Sequence, residues 1–153
     1  MLYETSIKSF VEESNRIEGI LRPPTEKEVL ATKTFLSYKD LHVIDVCKLN
    51  NIYEPTAKLR TIEGLDVIVG DYRPPRGGED IKKWFAFILF KVNNRTYSPY
   101  VAHCEYERLH PFTDGNGRTG RAIWLWQTYK KDGRIPTLGF LHTWYYQSLK
   151  RSV

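Results

Sequence analysis

The stretch His110-Pro111-Phe112-Thr113-Asp114-Gly115-Asn116-Gly117-Arg118-Thr119-Gly120-Arg121 decides how this chain is read. It packs more reactive residue types together than any other segment of the same length. Pro111 ends a helix arriving from the N-terminal side, because it lacks an N–H and restricts the residue before it. The three glycines of the stretch allow positive φ or close backbone approach. An apolar run follows from Ala122. A helix starting near Asn116 aims its unpaired first-turn N–H groups back at the turn, which makes an anion site.

The side chains suit the same chemistry. His110 can stay neutral at neutral pH and take a proton as a general base. Asp114 is a hard oxygen ligand, fit for Mg²⁺ shared with phosphates. The amides of Gly115, Asn116 and Gly117 would cradle phosphate oxygens. Arg118 and Arg121 are three residues apart on one helix face and could fork onto phosphate. The residues thus read as a phosphate-handling site. The bland alternative is a helix–turn–helix with a solvated polar loop.

Taken whole, the stretch resembles the signature of the Fic family, His-Pro-Phe-x-Asp-Gly-Asn-Gly-Arg-x-x-Arg, without a departure. The resemblance implies transfer of AMP from ATP to a Ser, Thr or Tyr hydroxyl of a target protein. It makes His110 the base that deprotonates the hydroxyl and Asp114 the Mg²⁺ ligand. Gly115, Asn116 and Gly117 would hold phosphate, and Arg118 and Arg121 the ATP tail, with Thr119 and Gly120 in the same nucleotide-binding loop. The related Doc-type kinases depart from Gly-Asn-Gly-Arg here, so the intact form favours nucleotidyl transfer. The implied fold is mainly α-helical, a bundle with one short β-hairpin flap. The implied partners are ATP and the target protein.

Composition bounds the rest. A chain of 153 residues suffices for one domain with a real core. Hydrophobic residues make up 41% and aromatics 14%, which excludes a disordered chain. The formal charge of +5 suits an anionic ligand such as ATP as well as it suits nucleic acid. No nucleic-acid motif accompanies it, so no nucleic-acid partner is expected. Cys47 and Cys104 lie far apart without a Cys-x-x-Cys and read as reduced thiols. No apolar run reaches membrane length and no leader is evident, so the expectation is a cytoplasmic protein with no membrane partner. Homo-oligomerisation is left open.

The expected organisation is a single domain over 1–153, with an inhibitory helix at 1–20, a flap at 59–78 and a helix–loop–helix core at 98–131. Residues 5–18 show helical spacing through Ile7, Phe10, Val11 and Ile17, and Ser14 and Glu18 fall on the same apolar face. A carboxylate on such a face needs a cation, unless Glu18 sits at a frayed end before the C-cap Gly19. Ser14-Asn15-Arg16-Ile17-Glu18-Gly19 resembles the family's inhibitory motif, Ser/Thr-x-x-x-Glu-Gly/Asn. That resemblance implies that Glu18 pairs with Arg121 and keeps it from the γ-phosphate.

Thr25 to Glu28 fits a capping box for a helix running to about Tyr38, and Asp40 is a candidate cap for a helix through Asn50 with Leu41, Ile44 and Cys47 on one side. Alternation through Leu65, Val67 and Val69 suggests a short strand, turned by Gly70 to Pro75. The resemblance makes this a flap that pairs with the target by strand addition, placing Val69, Gly70, Asp71 and Tyr72 near nucleotide and target. Ile81, Trp84, Phe85, Ile88, Leu89 and Val92 read as a core stripe, and Ser98-Pro99 as a helix start. His103, two turns before His110, either orients the site or is a buried structural residue. A last helix is expected over 138–150, where Tyr145 would stack near adenine or serve as plain core. The rival readings are removal of AMP by water oriented on Glu18, another nucleotide donor, or a non-enzymatic protein-binding module.

Overall fold

The computed structural model describes residues 2–136. Among the described residues there are six helices: α1 (Leu2–Ile17), α2 (Glu26–Ser37), α3 (Val43–Tyr53), α4 (Glu79–Asn93), α5 (Pro99–Leu109) and α6 (Asn116–Asp132). The mainly helical expectation holds. The expected helix over 138–150, with Tyr145, lies outside the described residues.

Amphipathic spacing builds α1, whose Ile7, Phe10, Val11 and Ser14 are all buried. Its end is a Schellman pair: Ile20 N–H donates to Asn15 O and Gly19 N–H to Arg16 O, each at 2.9 Å. The expected capping box opens α2, with Glu28 N–H on Thr25 Oγ1 at 3.1 Å and Thr25 N–H on Glu28 Oε1 at 2.8 Å.

The start of α3 differs from the expectation. Asp40 does not cap it; the Asp45 carboxylate accepts the His42 N–H at 2.9 Å instead. Leu41 is pulled into the core, and the Asn93 side chain holds both its N–H and its carbonyl at 2.8 Å. The helix therefore begins after it, which turns Ile44 outward and leaves Val46 and Leu49 on the inner face.

Helix α4 buries Ile81, Phe85, Ile88, Leu89 and Val92, but Trp84 stays 46% exposed. It stands at the edge of the stripe, on the side that also exposes Phe87. Ser98 caps α5 through the Val101 N–H at 3.2 Å, with Pro99 in the first turn. Helix α6 contacts α1, α2, α3 and α5. Because helices surround it, even Arg118 and Arg121 are buried.

The flap is smaller than the alternation suggests. Val69 and Tyr72 exchange two backbone hydrogen bonds of 2.9 Å around Gly70-Asp71, and that single bridge is all of the hairpin. Residues 65–68 find no partner strand among the described residues, and an unpaired run cannot grow a ladder. The segment before the flap is anchored to the signature loop. Leu59 bridges Phe112, and Arg60 N–H donates to Pro111 O at 2.9 Å.

Candidate active site

The signature loop links α5 to α6, the two helices with the most extensive contact. His110 is the last residue of that approach. Its N–H closes α5 on Tyr106 O at 2.9 Å, and its backbone is left-handed at φ 51°. Few non-glycine residues adopt that conformation, and it tips the imidazole out of the helical path. Pro111 prevents α5 from continuing.

The turn is then locked from within. Asn116 clamps Phe112 by both backbone groups, accepting its N–H at 2.9 Å and donating to its carbonyl at 2.7 Å. Asp114 Oδ1 accepts the Gly115 N–H at 2.8 Å, and Asn50 donates to Asp114 O at 3.2 Å. Gly115 sits at φ 84°, and a Cβ there would lie 2.3 Å from Asn50 Oδ1. Both facts require glycine. The first helical bond of α6 is Thr119 N–H to Gly115 O, so the amides of 116–118 have no acceptor within the helix.

These groups open onto a cleft of about 550 Å³. Its working groups are His110, Asp114, the Gly115–Gly117 turn and Arg121, with Glu18 and Glu107 beside them and Val67, Ile68 and Val69 across the mouth. Burial pushes the His110 imidazole below its ordinary value, and the Arg60 charge adds to this; the Glu107 backbone carbonyl, Asp114 and Glu18 oppose it. The net result is a neutral ring at neutral pH, ready to accept a proton.

Glu18 enters the cleft from the end of α1. Its Oε1 accepts from Arg121 Nη2 at 2.7 Å, with Arg121 1% and Glu18 40% exposed. Ser14, one turn earlier, accepts Arg121 Nε on its hydroxyl at 2.8 Å and Nη2 on its carbonyl at 3.0 Å. A Cβ on Gly117 would stand 2.3 Å from Glu18 Oε1. The absence of a side chain at Gly117 is thus what lets a carboxylate settle on the first turn of α6, where the helix dipole favours negative charge.

Not every expected residue reaches the cleft. Arg118 turns to the interior, donating to Glu54 at 3.1 Å and Asn15 at 3.4 Å, near Glu28 at 3.8 Å and over the Tyr53 ring. Thr119 is fully buried and bonded to Tyr106 Oη at 2.5 Å. Gly120 packs against Tyr106 and Glu107. In the flap, Val69 borders the cleft, whereas the Tyr72 hydroxyl donates to Arg108 O at 2.8 Å. Gly70 and Asp71 form the exposed tip of the turn. His103 is buried, and desolvation lowers its pKa to about 4.

Two residues that the sequence reading passed over also belong to this region. Glu107 lies with its carboxyl oxygens 3.9 Å from His110 Nδ1 and from His103 Nε2. Burial raises its pKa to about 8, partly offset by Arg121, so it is an uncharged acid at neutral pH. Its place three residues before His110 on α5 is a signal that helical spacing could have given. Arg60 is fully buried and reaches the backbone of the loop, with no sequence pattern to announce it.

One cleft thus gathers an imidazole, a helix N-terminus, a carboxylate and a buried arginine. The sequence model of the Fic/DOC family matches residues 35–128, and the chain belongs to that family. It is a Fic-type enzyme that transfers nucleotide-derived groups to proteins. Helix α1 and Glu18 lie outside the matched residues. Among the described residues no helix is long and apolar enough to cross a membrane.

Proposed function

We propose that the enzyme transfers AMP from ATP to a hydroxyl side chain of a target protein, and that Glu18 restrains it by occupying Arg121. The observation that carries this reading is the seat of the Glu18 carboxylate. An anion already rests on Arg121 and over Gly117, at the bare end of α6. A phosphate oxygen seeks the same donors.

The chemistry follows from the groups around the cleft. The first-turn amides of α6 and a released Arg121 grip the triphosphate and align its α-phosphorus. The target segment pairs beside the flap at Val69 and presents its hydroxyl. That oxygen attacks the α-phosphorus, and its proton passes to His110. Nδ1 is buried against Glu107, which leaves Nε2 as the accepting atom. A P–O bond forms to the target, the bond to the bridging oxygen breaks, and pyrophosphate leaves. Catalysis here is positioning and charge stabilisation. Asp114 suits Mg²⁺, because one carboxylate plus substrate phosphates is the usual donor set, and the ion would neutralise charge on the phosphates.

In this reading the chain is one domain, with α1 as its inhibitory helix and 59–78 as the flap. Arg118 acts from behind the loop, holding α6 against α2 and α3, rather than on phosphate. Calorimetry with ATP and Mg²⁺ tests the restraint. Glu18→Gly should bind about tenfold or more tightly than the unmodified chain, as expected when a charged competitor leaves. Equal affinity in the two chains would remove Glu18 from the nucleotide site.

A further inference from the structure

Arg60 is among the largest fully buried side chains, and among the described residues it has no carboxylate within ion-pair distance. The Asp66 charge favours it from beyond ion-pair distance but burial outweighs this, so its hydrogen bonds must account for keeping the cation inside. All of them go to backbone carbonyls. Nε donates to His110 O at 2.7 Å and Nη2 to Leu109 O at 2.8 Å. Nη1 donates to Pro75 O at 2.8 Å and to Leu65 O at 3.1 Å. The first pair lies at the C-terminus of α5, where the helix dipole welcomes a cation. The second pair brackets the flap turn at Val69–Tyr72 on both sides.

We infer that Arg60 is the positioning residue of this site: one planar guanidinium ties the backbone of His110 to both ends of the flap. The inference rests on the proposed role of His110 as base and of the flap as the docking edge. His110 holds a left-handed conformation that a non-glycine residue keeps only when its surroundings impose it. Here its N–H is fixed on Tyr106 O and its carbonyl on Arg60. The flap has only one bridge of its own, so its place depends on what holds its ends. Arg60 refers proton acceptor and target strand to the same rigid group. Lysine could not do so, because its single ammonium lacks the fork. The titratable groups around His110 are Glu107 from α5, uncharged at neutral pH, Asp114 from the loop, Glu18 from the end of α1, Arg121 from α6 and Arg60; of the two cations, Arg60 is the one that lowers the ring's pKa.

The test uses the full chain carrying Glu18→Gly, with Arg60→Lys and Arg60→Met added singly. Turnover with ATP, nucleotide affinity and the NMR titration midpoint of the His110 ring are measured. Both variants should lose about a hundredfold in kcat, the scale of a misplaced reacting group. Nucleotide Kd should change less than about threefold, because Arg60 touches none of the phosphate-binding groups. The His110 midpoint should rise in Arg60→Met and stay in place in Arg60→Lys, a split that loss of packing alone would not produce. If Arg60→Met does not fold, Arg60→Lys decides by its kcat. Wild-type kcat in Arg60→Lys, a parallel fall of kcat and affinity, or an unmoved midpoint in Arg60→Met would overturn the inference. If the Glu18→Gly chain transfers nothing from ATP, the proposed reaction fails instead. The midpoints need no substrate and still judge Arg60.

Discussion

Burial and the Arg60 charge hold the His110 ring below its ordinary pKa of 6.5. A base of this kind works when deprotonated, so kcat/KM should climb with pH on an acid limb centred below 6.5 and be flat across neutrality. A pH–rate profile of the Glu18→Gly chain checks this; a limb centred above neutrality would mean that the ring is not the base or not so buried. At this scale much of the site is legible in the sequence. Residue types from His110 to Arg121 announce a turn that gathers His110, Asp114 and Arg121 on one cleft, and the helical spacing of Ser14 and Glu18 sets on the apolar face a carboxylate whose cation is Arg121 at 2.7 Å. Arg118 misleads, because spacing places it on a helix face without telling that Glu28 of α2 and Glu54, just past the end of α3, meet that face. Arg60 is illegible, since its partners are carbonyls, and a carbonyl leaves no mark on residue identity.

Helix α1 carries Glu18, and its hold on the bundle is its apolar face. Phe10 is fully buried there beside Ile7 and Val11. Phe10→Ala should cost roughly 3–5 kcal/mol of stability, the usual loss for a buried phenyl ring. Urea unfolding measures it; a loss below about 1 kcal/mol would mean that α1 rests on the bundle without being part of its core. Element starts are read well where a side chain does the capping, as at Thr25 and Ser98. They are misread where tertiary packing decides. Leu41 is drawn inward by Asn93 and delays α3 past Asp40. The flap fails as a strand for the same reason, because alternation states a face but cannot supply a neighbour.

The whole molecule stores an uncharged acid behind its cleft. Glu107 ordinarily titrates at 4.5 and does so at about 8 in the fold. The folded chain therefore keeps a proton that the unfolded chain releases. Stability from this group is full below about 4.5 and declines as pH rises to about 8. Glu107→Gln removes the titration and should flatten the fall of Tm between pH 6 and pH 9, as thermal unfolding across that range would record. An equally steep fall in the variant would assign the decline to other groups. The mainly helical architecture is legible from composition and periodicity, because each helix buries one stripe. The burial of α6 is legible too, in the apolar run from Ala122, but which helices surround it is not, because a buried face does not name its neighbours.

In the proposed reaction the cleft beside His110 passes AMP to protein once Glu18 is removed. Mass spectrometry of the Glu18→Gly chain, incubated with ATP, Mg²⁺ and cell lysate, measures it directly. An AMP adduct on a serine, threonine or tyrosine is expected, absent when His110→Ala is added to the same chain. Adduct formation that survives His110→Ala, or a Glu18→Gly chain that binds ATP yet labels nothing, would contradict it.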